Sequence, residues 1–446
     1  MAKAKGKKIT IEEALVPVEE QPYEIPENWC WTFLNAVCVF ENGYAFKSDK
    51  FGKEGIPVIR ISNIQENEVD VDTCVYTSET DIEERFIVKK GDLLIAMSGA
   101  TTGKNGIYTF DKRAYLNQRV GNIKVKSERV LFPRLRDYYI MSKQEEILNS
   151  AYGGAQPNIS STKIGEMLFP LPPLAEQKRI VEKIGKLFAK LDEAKEKALT
   201  VVESFELSKK AIYKKAFEGS LTNSWRAENG INISDWEEIP FEKLGKLERG
   251  RSKHRPRNDE RLFGGEYPFI QTGDVAGAGM YVTSHKQTLS EFGFEQSRMF
   301  PQGTLCITIA ANIGDAAILS YDCCFPDSVV GFTPGEKCFN KYMYFYLQEI
   351  KAELEYIAPA TAQKNLNLKL LGEVEIKVPS LKEQEKIVEI LEKQINYQES
   401  IVEKAENVIE TIDMMKKSIL AKAFRGELGT NVESEESAIE LLKSIL

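Results

Sequence analysis

Gly99-Ala100-Thr101-Thr102-Gly103-Lys104 has the composition of a phosphate-binding loop. Such a loop needs four residues between its glycines, so that successive backbone N–H groups wrap the phosphates, and a Ser or Thr after the lysine to hold magnesium. Here three residues separate the glycines and Asn105 follows the lysine, so the segment is expected to be a glycine-rich turn after a buried strand. Pro326-Asp327 with the distant Glu375-Ile376-Lys377 has the residue types of a nuclease metal site, but the spacing is long and the first half of the chain has no counterpart. An amino-methyltransferase acting on a flipped base needs an Asn/Asp-Pro-Pro-aromatic loop to hold it, and Pro170-Leu171-Pro172-Pro173 reads only as a lead-in to a helix. With His254 and His285 as the sole histidines, neither a Ser/His/Asp triad nor a zinc site has the side chains it requires. No catalytic residue and no metal ligand is assigned.

Binding chemistry is better supplied. Arg249, Arg251, Lys253, His254, Arg255, Arg257 and Arg261 fall in one stretch that also carries Gly, Pro and Asn, a density able to neutralise several phosphates and to bring an arginine to guanine. A solvated charge run is the alternative reading. The corresponding stretch of the first half is less basic, with Lys47, Lys50 and Lys53, so the two halves are expected to grip DNA unequally. Polar residues at matched turns are of the types that hydrogen-bond base edges: Arg60, Ser62 and Asn63 against Gln271, Thr272 and Asp274, and Asn117, Gln118 and Arg119 against Asp327 and Ser328. Lys104 joins this candidate set. The same side chains could instead cap their own turns.

The elements that position these residues are repeated. Trp236 follows Trp29 by 207 positions, as Gly250 follows Gly43, Gln363 follows Gln156 and Pro379 follows Pro172. Pro57-Val58-Ile59-Arg60-Ile61 matches Pro268-Phe269-Ile270-Gln271-Thr272, and Gly91-Asp92-Leu93-Leu94-Ile95 matches Gly303-Thr304-Leu305-Cys306-Ile307; apolar positions persist while polar ones differ. One scaffold used twice with two surfaces follows.

A long helix closes each repeat. Ile184, Leu187, Leu191, Ala194, Ala198, Val201, Phe205, Ser208 and Ile212 step by alternating threes and fours, as do Leu391, Ile401, Ala405, Val408, Ile412, Met415 and Ile419, with Gln394 and Gln398 as polar interruptions. This is the narrow stripe of helices that pair. Pro172-Pro173 and Pro379-Ser380 open them, Ser380 with Glu383 reads as a capping box, and Gly219 and Gly426 supply left-handed C-terminal caps. Each of the two, Leu174–Phe217 and Leu381–Phe424, is a rod of roughly 66 Å, a ruler if the two lie antiparallel.

The expected class is therefore α+β: two similar mixed α/β domains separated by two long antiparallel coiled-coil helices, with a pseudo-twofold internal repeat. The expected divisions are an arm at 1–24, a first domain at 25–171, a long helix at 172–219, a connector at 220–232, a second domain at 233–378, a second long helix at 379–426 and an acidic tail at 427–446. At 446 residues, 42% apolar and 28% charged, the composition is that of a globular protein. Seven cysteines without a C-x-x-C pair are read as buried thiols of a reducing, cytoplasmic setting. No apolar run is long enough to span a bilayer, and Met1–Lys8 is basic without the apolar stretch of a signal peptide. The net charge of −8 argues against a uniformly basic nucleic-acid binder and leaves room for a local one.

Leu-Pro-Pro-Leu-Ala-Glu-Gln-Lys-Arg-Ile-Val from Leu171, Pro-Ser-Leu-Lys-Glu-Gln-Glu-Lys-Ile-Val from Pro379, the Ala-Phe-x-Gly endings at Phe217 and Phe424, Pro-Glu-Asn-Trp at Pro26 and Gly-Glu-Leu-Gly-Thr-Asn at Gly426 together resemble the specificity subunits of Type I restriction-modification systems, over nearly the whole chain. Ile233-Ser234-Asp235 departs from the Pro-Glu-Asn pattern. The resemblance implies a non-catalytic reader with two target-recognition domains, each binding one half of a split, asymmetric double-stranded DNA sequence, and a helix pair that sets the spacer. It implies modification subunits, two of them, that use S-adenosylmethionine, and restriction subunits that use ATP and magnesium, with no cofactor held by this chain. A self-contained methyltransferase or nuclease with fused recognition domains, and a coiled-coil scaffold for protein interaction, are the alternatives.

Overall fold

A computed structural model of the chain describes residues 9–65, 67–78, 82–152, 157–358 and 365–446. The basic start of the arm, Met1–Lys8, and the matched pair Gln156 and Gln363 lie outside the described residues. The chain forms two compact units, Met1–Lys197 with Val408–Leu446, and Ala198–Asn407. The division falls inside each long helix.

In the first unit three sheets are built from short strands. Cys38–Asn42, Val120–Val125, Leu93–Ala96, Asn105–Ile107 and Asn67–Glu68 lie side by side in that order; Val75–Thr77, Ile56–Ile59, Ala114–Leu116 and Ile87–Val88 form the second sheet; Cys30–Phe33 pairs with Leu168–Leu171 in the third. Leu93–Ala96 is buried at every residue, which is why it reads as a continuous apolar run and not an alternating one. The second unit repeats the order with Gly245–Arg249, Val329–Pro334, Leu305–Thr308, Ala316–Leu319 and Tyr281–Val282, then Gln287–Leu289, Phe263–Phe269, Cys323–Cys324 and Met299–Phe300, then Glu237–Pro240 with Glu375–Val378. The matched glycines have one cause. A Cβ on Gly43 would stand 2.1 Å from the Asn117 carbonyl oxygen, and one on Gly250 2.2 Å from that of Pro326, so each lets a strand end pass against the turn that leads into the strand it pairs with.

The Glu-Gln pair that opens each long helix is buried and fully used. Gln177 accepts from Phe132 N at 2.7 Å and donates to the Val130 and Pro172 carbonyls; Gln384 does the same with Phe339, Lys337 and Pro379. Glu176 accepts from the Trp29 indole at 2.7 Å, Asn431 at 2.8 Å and Thr430 at 3.1 Å. Glu383 accepts from the Trp236 indole at 2.9 Å, Thr222 at 2.7 Å and Arg226 at 2.6 Å. Ser380 caps Glu383 N at 3.4 Å, but the Glu383 side chain points inward to these partners, so only half of the expected capping box forms.

These contacts engage the connector and the tail. The connector folds into the helix Asn223–Asn229 and buries Arg226 against Glu383. The tail is likewise docked in the first unit, where Asn28 binds the Val432 carbonyl and Ala438 N donates to the Asn28 carbonyl. The arm joins the same core, with Ala14 and Val16 buried and Leu15 bridged to Thr32. In each unit a segment from beyond a long helix's C-terminus therefore locks the opening of the other long helix.

The long helices run Leu174–Phe217 and Leu381–Phe424. In the first unit Lys195 meets Asp413 at 2.7 Å and Lys416 meets Asp192; in the second, Gln398 donates to Ser208 at 2.6 Å. In the first unit numbers rise on one helix as they fall on the other, so the pair is antiparallel there. The seam is corrected at three positions. Val201, Val408 and Met415 are exposed at 36%, 45% and 47%, while their neighbours Val202, Ile409 and Lys416 are half-buried, as is Phe188 beside the half-buried Leu187. The other positions hold as expected: Ile184, Ala198, Leu391, Ala405 and Ile412 are buried, and Leu187, Leu191, Ala194, Phe205, Ser208, Ile212, Ile401 and Ile419 half-buried. A turn of 3.6 residues puts i+3 and i+4 on either side of the stripe, and the side on which the partner helix lies, which periodicity does not contain, decides between them at those three.

All seven cysteines are free thiols. Burial pushes Cys30, Cys38, Cys323 and Cys338 up to about 12 and Cys74 and Cys324 up to about 11. Because the thiolate is the nucleophile, iodoacetamide at pH 8 is expected to label the folded chain far more slowly than the urea-unfolded chain. Mass spectrometry after a timed quench checks this; a thiol alkylated at the unfolded rate would contradict the burial.

Candidate nucleic-acid interface

In the second unit the basic segment leaves the strand Gly245–Arg249, rounds the turn Glu260–Leu262 and enters the strand Phe263–Phe269. It lies against the turn between Cys323–Cys324 and Val329–Pro334, fixed by Arg251 N donating to the Phe325 carbonyl at 3.1 Å. Asp327 on that turn gathers arginines. Arg249 Nε donates to its carbonyl, Arg257 Nη2 to its Oδ2 at 2.9 Å, and Arg255 Nη2 lies 3.9 Å from the same oxygen. Asp259 takes Arg261 at 2.6 Å and His254 at 2.8 Å, and these two, Arg261 first, hold its carboxyl well below the ordinary range. Among the described residues the Arg251 and Lys253 side chains make no hydrogen bond or ion pair. A cavity of about 130 Å³ opens here, lined in part by Arg251, His254, Arg257, Gln271, Gln296 and Ser328. The segment thus carries arginines held in part by Asp327 and Asp259 and still more than half exposed.

The matched turns divide into structural and presented residues. Asn63 Oδ1 accepts from Arg60 N at 3.0 Å and its amide donates to Thr73 at 3.1 Å, with the residue fully buried. Asp274 Oδ2 accepts from Gln271 N at 2.9 Å. Both cap a short helical turn, so the expectation that Asn63 and Asp274 read base edges is corrected: the backbone N–H three residues earlier uses them first. His254 is corrected in the same way, its ring committed to Asp259 and set edge-on to Phe292 at 5.2 Å. Ser62 and Gln271 stay exposed and Thr272 half-exposed. Gln271 donates to Gln287 at 2.6 Å, which makes Gln287 a neighbour that sequence reasoning missed. Arg60 is half-buried with Nε unpartnered among the described residues.

In the first unit a polar groove of about 590 Å³ is lined by Gln118 and Arg119 together with Asn42, Ser98, Asn158 and Ser161. Arg119 and Gln118 are exposed and Asn117 half-buried, its backbone bridged to Tyr44. Lys47 precedes the turn Ser48–Lys50 and Lys50 ends it, both exposed. Lys104 sits half-buried in a hairpin: Gly103 N bonds the Ala96 carbonyl, Lys104 N the Thr101 carbonyl, and the strand Asn105–Ile107 follows. A phosphate loop would lead into a helix N-terminus, and this one does not. Asn42, Ser98, Asn158 and Ser161 were missed because they come from three separate connections with no local spacing to mark them. Among the described residues the Arg119 and Arg251 guanidiniums make no hydrogen bond or ion pair, and each lines a cavity, with Gln118 beside the first and Gln271 and Gln296 beside the second. Among the described residues no group of three or more His, Cys, Asp or Glu could hold a metal ion, and no helix is long and apolar enough to cross a membrane.

The family model for the Type I restriction modification DNA specificity domain matches this chain twice, over residues 26–203 and 233–411. The Type I restriction enzyme EcoBI specificity subunit of Escherichia coli is 26% identical, over 94% of this chain and 92% of the relative. The EcoKI specificity subunit of Escherichia coli strain K12 is 24% identical, over 95% and 96%. In fold, the chain is similar to one from a structure on complex assembly and conformational transition of the type I R-M system, with a TM-score of 0.73 at 19% identity over 91% of this chain and 100% of that one. It is also similar to the crystal structure of the HsdS subunit from Thermoanaerobacter tengcongensis, with a TM-score of 0.58 at 19% identity over 92% and 100%.

Proposed function

This chain belongs to the Type I restriction-modification DNA specificity family, and we propose on that premise that it is the non-catalytic DNA-recognition subunit of such a complex, working with modification and restriction subunits. Each unit binds one half of a bipartite, asymmetric target, and the paired long helices set the unread spacer between the halves. The observation that supports this reading is the duplication itself: two units with one strand order line their cavities with different polar sets, Gln118 and Arg119 in one, Arg251, Arg257 and Gln271 in the other. Two modification subunits docked along the helices supply methylation with S-adenosylmethionine, and restriction subunits supply ATP- and magnesium-dependent cleavage. This chain holds none of those cofactors.

Lys47, Lys50, Lys253, Arg255 and Arg257 neutralise phosphates in this reading, and Arg60, Gln118, Arg119, Arg251 and Gln271 reach base edges. The purified chain is expected to retard duplex DNA with an affinity that falls linearly in log–log form as salt rises. Arg257→Ala should weaken binding and lower that slope by about one, and Arg255→Ala should act the same way; unchanged affinity and slope in both would return the segment to solvated charge. Genome methylation mapped with and without the gene reports both half-sites and their gap. Transfer of labelled methyl groups to DNA by the purified chain alone would overturn the non-catalytic assignment.

A further inference from the structure

Asp327 is placed where an acidic residue opposes the proposed task of its surroundings. It lies on the turn that faces the basic segment, and its Oδ2 holds Arg257 at 2.9 Å with Arg255 at 3.9 Å. Its Oδ1 is buried and has no hydrogen-bond partner among the described residues. The two guanidiniums are themselves about half exposed, at 56% and 54%. They are therefore close enough to solvent to be handed to another anion, whereas the carboxylate beneath them is 29% exposed. In the first unit the same turn carries Asn117, Gln118 and Arg119 and no acid, and Arg119 there is exposed.

We propose that Asp327 is a specificity-determining gate in the second unit: it stands in for a phosphate, holds Arg257 and Arg255 in a self-paired state, and makes DNA phosphate compete for them. The inference rests on the DNA-recognition reading above. A phosphate diester and a carboxylate offer the same anionic oxygens to a guanidinium, so the exchange costs little when the rest of the half-site fits and base contacts add to it. On non-target DNA only the phosphate contributes, and there the internal carboxylate wins more often. Uniform phosphate attraction raises affinity for every sequence alike; an internal competitor subtracts from that uniform part, which raises the ratio of target to non-target binding. The gate acts through the arginines, so Asp327 is a positioning residue.

The test uses the full chain and two duplexes, one carrying the mapped target and one with its second half-site scrambled, with Asp327→Asn, Arg257→Ala and the double variant titrated over a salt series. Asp327→Asn keeps the turn's backbone, and with it the carbonyl that receives Arg249, so the anchor of the segment survives. The single variant is expected to bind the scrambled duplex roughly twofold to fivefold more tightly, the range of a partly exposed ion pair, and to steepen its salt slope by about one. The target gains less, and discrimination falls. In the Arg257→Ala background the same change should have a smaller effect, since the competitor has lost a ligand. Equal affinities and slopes for wild type and Asp327→Asn overturn the gate while leaving the DNA reading in place, as does weaker binding to both duplexes with an unchanged thermal melt. A wild-type chain that binds neither duplex at low salt overturns the DNA reading and the gate with it.

Discussion

Removing one heptad from each long helix at facing positions is expected to contract the unread spacer of the DNA target by about one to three base pairs, while both half-sites keep their sequences. Seven residues at ~1.5 Å each shorten a helix by roughly 10 Å, and duplex DNA rises about 3.4 Å per pair. Seven is the right step because the seam repeats at that interval: Ile184, Leu191 and Ala198 on one helix, Ile412 and Ile419 on the other, are all buried or half-buried. The ends of a seven-residue deletion then rejoin within about 20° of register. A four-residue deletion rotates the stripe further and is expected to cost stability instead of moving the spacer. Methylation sequencing of a host carrying the shortened chain with its partner subunits reads the outcome. New half-sites with an unaltered gap would refute the ruler.

The second large effect concerns the two buried glutamates. Glu383→Gln is expected to destabilise the second unit by about 3–5 kcal/mol, the cost of stranding a buried charge, because Arg226 is 5% and Glu383 0% exposed and no other carboxylate reaches that guanidinium among the described residues. For a unit of this size that lowers the melting temperature on the order of 10 °C. Glu176→Gln should cost less, about 1–2 kcal/mol. Its three donors, the Trp29 indole, Asn431 and Thr430, are neutral, so the change weakens hydrogen bonds without isolating a cation. Thermal scans of the two variants compare them directly. A greater loss from Glu176→Gln than from Glu383→Gln would sink the assignment of Arg226 as the discriminating partner.

The matched positions mark where each kind of information lies. Pro172, Pro379, Gly219 and Gly426 mark the ends of the long helices: each proline stands two residues before the first helical one, where its missing N–H removes no helical hydrogen bond, and Gly219 and Gly426 have the positive φ of a left-handed cap. The 207-residue spacing of Trp29 and Trp236, and of Glu176 and Glu383, was equally legible, since a repeated scaffold repeats its anchors. The meaning of the Glu-Gln pair was not. It depends on indoles brought in from 147 residues away, as with Trp29 and Glu176, and on carbonyls from 47 residues away, as with Val130 and Gln177.

By itself the sequence determined the α+β duplication, the extent of both long helices, the basic character of the segment around Arg255 and the family resemblance, all of which follow from local pattern and periodicity. Only the tertiary structure decided which of the candidate polar residues face outward. Asn63, Asp274 and His254 are of the right type to meet DNA, yet each has a protein partner three to five residues away that uses its hydrogen-bonding capacity. It also decided the side of the stripe, Val202 in place of Val201 and Ile409 in place of Val408, because a helix fixes the angle between residues while its neighbour fixes which angle is buried. The opposition of Asp327 to the arginines was decided there too, since Arg257 and Asp327 are 70 residues apart and only strand pairing brings their two turns together.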